Sequence, residues 1–135
     1  MNKKYLSHSL GALGIFSIAS AGVAFAPGPG LSLLDSLERG NWQLRATSGV
    51  TPVSKICLGD PQRLTRLQHA AGTCEQYVVR STANSVTVSY SCKAQGLGLT
   101  TIRKESNRIV HIQSQGIRNN APFSFAVEGR QTGPC

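Results

Sequence analysis

Cys74-Glu-Gln-Tyr-Val-Val-Arg80, then Ser81-Thr-Ala-Asn-Ser85, then Val86-Thr-Val-Ser-Tyr-Ser-Cys92: these three consecutive stretches decide the fold. The outer two are rich in β-branched and aromatic residues, and the middle one is turn-forming, which is the pattern of a β-hairpin. Val86, Val88, Tyr90 and Cys92 alternate with Thr87, Ser89 and Ser91, so the second strand buries one face and wets the other. A hairpin centred on Ala83 sets Cys74 directly opposite Cys92. That is a distance a cross-strand disulfide closes.

The same alternation recurs on both sides of the hairpin. Asn41 to Thr47 puts Trp42, Leu44 and Ala46 on one face, and Val53 to Leu58 reads as a second strand. Downstream, strands are expected over Leu99 to Lys104 and Arg108 to Gln115, joined by Glu105-Ser-Asn107. A last strand runs from Pro122 to Arg130 with Phe123, Phe125 and Val127 facing inward. Two short helices interrupt the series. Leu31 to Arg39 carries an apolar stripe at Leu33, Leu34 and Leu37, with Ser32 as cap and Gly40 as stop. Asp60-Pro61 places an N-cap before a proline at the first helical position. Leu64 and Leu67 then form the inward face of two to three turns ending near His69 to Gly72.

Regularly spaced strands with turns between them imply a mainly β fold, an antiparallel meander sheet with a short helix packed on it. The pattern is equally consistent with a curved open sheet and with a partly closed barrel. At 135 residues the chain suits one domain. Charged residues are 15% of the total, against about a quarter in typical domains. The 14 glycines and the few long Ala/Leu/Glu/Lys segments argue against a helix bundle or coiled coil.

Met1 to Ala26 reads as a secretory signal peptide. Lys3 and Lys4 supply its positive start and Leu10 to Phe25 its uncharged, largely apolar core. That run is about 16 residues long, short of the roughly 20 that span a bilayer. Small residues place the cleavage point after Ala21, Ala24 or Ala26. Residues 27–38 follow as a linker or short helix, and 39–135 as the β-rich domain. The mature protein is expected to be periplasmic, with no membrane span.

Export changes how the cysteines are read. Cys57, Cys74, Cys92 and Cys135 are even in number and contain no C-x-x-C pair, so two disulfides are expected rather than a zinc or redox centre. With Cys74 facing Cys92 across the hairpin, Cys57 is left to pair with Cys135.

Losing Lys3 and Lys4 with the leader leaves twelve basic residues against six acidic ones, a mature charge of +6. A basic surface in that compartment meets anionic envelope components and periplasmic proteins, the two partner classes expected here. The basic residues are spread almost evenly, densest at Arg103-Lys104 and Arg108, with only Tyr77 and Tyr90 mid-chain among them. A specific nucleic-acid platform needs basic residues interleaved with aromatics on one face; none is expected.

The order of Gly40-Asn-Trp42, Ile56-Cys-Leu58 before Asp60-Pro61, Cys74, Tyr90-Ser-Cys92, Gln115-Gly116, Pro122-Phe123 and Glu128-Gly-Arg130 through Gly133-Pro-Cys135 resembles the domain of unknown function 3617 family of exported proteobacterial proteins. The resemblance covers roughly Arg39 to Cys135. It implies a small disulfide-bonded periplasmic domain and brings no established activity or active site. Longer members begin with Pro-Gly-x-Trp-Glu, and Gln43 stands here where that acid would be.

No catalytic set is legible. Two histidines remain in the mature chain: His69 near the second helix's C-terminus, and His111 alternating with Ile109 and Gln113 on a strand. There is no Gly-x-Ser-x-Gly elbow, and a nucleophile needs a base oriented by a third group. Two separated histidines make no recognisable metal set. Glu105 and Glu128 are the acids of the C-terminal region, read as a turn residue and a surface ion-pair partner. Gly96-Leu-Gly98 lacks the lysine of a phosphate loop and reads as a turn or bulge. The expectation is a non-enzymatic binding or envelope-associated domain without cofactor or metal. The alternative is a small hydrolase or inhibitor acting on envelope components. A ligand would sit between sheet and helix, against some of Trp42, Leu64, Leu67, Tyr90, Phe123 and Phe125.

Overall fold

The computed structural model describes residues 29–135; the signal-peptide reading and its cleavage points at Ala21, Ala24 and Ala26 lie outside the described residues. Helix α1 (Pro29–Asp35) is followed by β1 (Gly40–Gly49) and β2 (Lys55–Leu58), then by a 3₁₀ segment, Pro61–His69. The chain continues through β3 (Cys74–Ser81), β4 (Ser85–Cys92), β5 (Gly96–Ser106), β6 (Ile109–Arg118) and β7 (Ala121–Gly133). All seven strands form one antiparallel sheet in the order β2-β1-β7-β6-β5-β4-β3. Strands β2 and β3 are its two edges, so of the two sequence alternatives the open sheet is the one adopted.

That order has a consequence for the loop between β2 and β3. These strands are consecutive in the chain but sit at opposite edges, so their connection crosses one face of the sheet and carries the 3₁₀ segment with it. Helix α1 packs beside it. The covered face is the core: Trp42 and Leu44, Val86 and Val88, Ile102, Val110 and Ile112, and Phe125 and Val127 are all buried against Leu33, Leu34, Leu37, Leu64 and Leu67. Each such side chain contributes about 1.5–3 kcal/mol of burial free energy. The opposite face stays open.

The hairpin has the register that its alternation implies, with one adjustment. Cys74 pairs with Cys92 and Val78 with Val88, but Arg80 pairs with Thr87 across a register shift at Val79. The bulge adds one residue to β3 and moves the turn off Ala83 without disturbing the cysteine end. Disulfides join Cys74 to Cys92, with Cα atoms 4.1 Å apart, and Cys57 to Cys135. At the β6–β7 turn, Asn119 and Asn120 adopt φ of 49° and 65°, the left-handed pair that a two-residue hairpin loop demands.

Several boundaries differ from the sequence expectation, each for a local reason. Helix α1 begins at Pro29 rather than after Ser32 and ends at Asp35, proline being favoured in a first helical turn. Its leucines enter the core, so this segment is part of the packed domain. Strand β2 starts at Lys55, not Val53, because Thr51 Oγ1 bonds the Val53 carbonyl (2.7 Å) and holds the chain in a side-chain turn. Asp60 caps the Gln62 N–H at 3.0 Å as expected, but Arg66 leaves helical geometry (φ −137°, ψ 44°). The segment is therefore two short 3₁₀ turns across a kink. No helix among the described residues is long and apolar enough to cross a membrane.

Candidate functional site

Under the 3₁₀ segment the core is not purely apolar. His69, Tyr90, Thr100 and Ser114 are all buried. The His69 Nε2 lies 3.2 Å from the Gln95 carbonyl and its Nδ1 lies 3.1 Å from the Tyr90 hydroxyl. A carbonyl only accepts, so neutral His69 donates from Nε2, and Tyr90 donates to Nδ1. Ser114 in turn hydrogen-bonds the phenol oxygen, and Thr100 Oγ1 reaches Ser114 Oγ at 2.7 Å. Burial raises the Tyr90 pKa, with Ser114 opposing it. The chain links the 3₁₀ segment to β4, β5 and β6 with every buried side-chain polar atom partnered.

This arrangement defines where the six residues of the expected ligand face lie. Trp42, Leu64, Leu67 and Phe125 belong to the packed cluster, Phe123 leans on it, and Tyr90 is tied into the polar chain. Trp42 is satisfied through its Nε1, which donates to the Glu38 carbonyl at 2.9 Å. Of the six, Leu67 also lines a cleft between the helical cover and the sheet's β2 edge.

That cleft measures about 540 Å³ and opens between the loop before β2, strand β2 itself and the 3₁₀ segment. Val53, Ile56 and Leu67 supply apolar wall, while Lys55, Arg63 and Arg118 supply charge. No carboxylate lines it. The ion pairs among the described residues are Arg108–Glu38, His111–Glu105 and Arg130–Glu128, so none of them neutralises the cleft. Asp60, the acid nearest in sequence, caps the Gln62 N–H and is not among the lining residues. Arg63 Nη1 donates to the Cys57 carbonyl (3.3 Å), which holds it over β2. The Cys57–Cys135 bridge fixes β2 in turn. Clefts lined by one sign of charge over low-dielectric walls concentrate counter-ions.

Lys55, Arg63 and Arg118 were missed in the sequence because they are scattered along it and look like an even spread of solvated cations. The densest run does something else. Lys104 Nζ binds Ser36 Oγ at 2.8 Å and Arg108 meets Glu38 at 3.5 Å, so these residues staple the β5–β6 turn to the segment after α1.

On the open face, Arg45, Glu128, His111 and Arg103 follow one another across β1, β7, β6 and β5. His111 Nε2 contacts Glu105 Oε2 at 2.7 Å. Glu128 is held below the usual carboxylate range, chiefly by its hydrogen bond from Arg130, with His111 and Arg45 adding charge. Among the described residues no hydroxyl or thiol is hydrogen-bonded to His111, no thiol is free, and no group of His, Cys, Asp or Glu is arranged to hold a metal ion. Two disulfides without a free cysteine suit an oxidising setting, extracellular or periplasmic.

No family model, curated protein or solved structure matches the chain.

Proposed function

We propose that this protein is an exported, non-enzymatic binding domain that holds a small ligand in the cleft between β2 and the 3₁₀ segment. One observation carries the reading: the cleft brings Lys55, Arg63 and Arg118 together over apolar wall with no Asp or Glu among its lining residues. A volume of about 540 Å³ falls within the roughly 300–1,000 Å³ of small-molecule sites. The leader-like first 26 residues, the paired cysteines and the resemblance of Arg39–Cys135 to an exported family support a periplasmic location.

Native mass spectrometry of protein released gently from the periplasm, without reductant, tests the proposal. A reproducible extra mass is expected on the wild type and lost on Ala71→Trp, which fills the cleft from an exposed position. An extra mass that persists on Ala71→Trp moves the site elsewhere, and a bare wild-type chain removes the binding reading.

The alternative, a small hydrolase or inhibitor, needs His111 or Glu128 to converge with another polar group, and His111 does meet the Glu105 carboxylate. The hydrolase form requires turnover of an envelope substrate that disappears in His111→Gln.

A further inference from the structure

The cleft's chemistry is divided in space, and the division says what fits. Lys55 and Arg63 are exposed, as is Arg118, so their charged ends sit at the mouth. Leu67 and Ile56, by contrast, are core side chains, only 5% and 9% exposed, whose edges form the inner wall. A compact hydrophilic anion would satisfy the cations and leave that wall wet. A neutral apolar molecule would cover the wall and leave three cations unpaired. Only a ligand carrying both parts satisfies both.

We propose that the occupant is an amphiphile with one anionic head and one apolar chain. The head is bound at the mouth by Arg63 and Arg118 with Lys55, and the chain lies along Val53, Ile56 and Leu67. Arginine's planar fork matches carboxylate and phosphate alike, so the head is either a free fatty carboxylate or a phosphate of the kind lipids carry. The inference rests on the binding reading above and adds the ligand class. An acidic peptide is the competing occupant. It would have to place both an acid and an apolar side chain in a cleft of about 540 Å³, within the size range of small-molecule pockets.

The probes are dodecanoate, dodecyl phosphate, dodecyl maltoside, acetate, inorganic phosphate and a glutamate-rich peptide. Each is titrated below any micelle-forming concentration into the mature, oxidised protein and followed by calorimetry and amide chemical shifts. At least one of dodecanoate and dodecyl phosphate is expected to bind, moving amides of Val53, Leu67 and Ala71, and the stronger of the two identifies the head. Acetate, phosphate and dodecyl maltoside are expected to bind at least tenfold more weakly. Arg63→Gln with Arg118→Gln is expected to weaken the amphiphile at least tenfold; both side chains are exposed, so unchanged thermal unfolding verifies the fold. Equal binding of acetate or phosphate, equal binding of the maltoside, or preference for the peptide overturns the amphiphile. Failure of every probe while the native protein still carries an extra mass overturns the amphiphile and leaves the binding reading standing. Failure of both ends both.

Discussion

His69 Nδ1 lies 3.1 Å from the Tyr90 hydroxyl, and this hydrogen bond ties the 3₁₀ cover to β4, the strand beside the β3 edge of the sheet. Both side chains are 2% exposed or less. Their rings also meet edge to face, with centroids 5.4 Å apart. The cover is a pair of short 3₁₀ turns with little stability of its own, so it depends on such anchors.

Tyr90→Phe removes the donor to His69 and the acceptor for Ser114 in one step. An unpartnered buried polar group costs about 1–3 kcal/mol, so urea unfolding is expected to show a loss of about 2 kcal/mol. The pH dependence has a definite sign. Burial raises the folded-state pKa of Tyr90 above its unfolded value, so below about pH 10 the stabilisation is complete. As pH rises through that value the unfolded chain loses the proton first and stability falls. The gap between wild type and Tyr90→Phe is therefore expected to narrow in alkaline buffer. A constant gap would show that the phenol's protonation does not matter.

Gly98 lies against the face of Tyr90, and a methyl group there would overlap the phenol ring and its oxygen. Gly98→Ala is expected to cost about 1–3 kcal/mol, the usual range for overpacking, and to displace the Tyr90 ring from His69. The upfield shift of the His69 ring protons, read by NMR, checks the displacement.

The two disulfides differ in loop and exposure. Closing 78 residues of chain (Cys57–Cys135) restrains the unfolded state more than closing 18 (Cys74–Cys92); the chain-entropy model puts the two at about 4.5 and about 3 kcal/mol. Replacing Cys57 and Cys135 by serine is expected to be the costlier pair. It also frees β2, which pairs with β1 alone, and is therefore expected to weaken retention of the proposed ligand. Both Cys57 and Cys135 are exposed, whereas Cys92 is buried. Mild reductant followed by alkylation is expected to label Cys57 and Cys135 first.

Ala94 adopts φ of 60° in the β4–β5 turn, a region in which a Cβ is strained. Ala94→Gly is expected to leave stability unchanged or raise it by up to about 1 kcal/mol, as a higher melting temperature. A clear loss would mean that the alanine methyl makes contacts worth more than the strain.

Much of the sheet was legible in advance because a strand with one wet face must alternate. Val86, Val88 and Tyr90 against Thr87 and Ser89, or Trp42 and Leu44 against Gln43 and Arg45, are two-residue periods that any single strand displays. The cysteine pairing followed from the same counting, since the bulge at Val79 lies beyond the cysteine end of the hairpin. The 3₁₀ kink at Arg66 and the late start of β2 were not legible. Each depends on a single side-chain hydrogen bond or on packing beneath the cover rather than on a repeat.

From sequence alone come the strand alternation, the odd and even faces, the paired thiols and the basic charge, because each is a property of neighbours along the chain. Only the tertiary structure decided which distant residues share a site. Strands β2 and β3 sit at opposite edges, so their connection must cross the sheet, and that crossing brings Arg63 and Leu67 over Lys55 and Ile56 and beside Arg118. The cleft is a product of topology, in which residues more than fifty positions apart meet, and no local pattern encodes such a meeting.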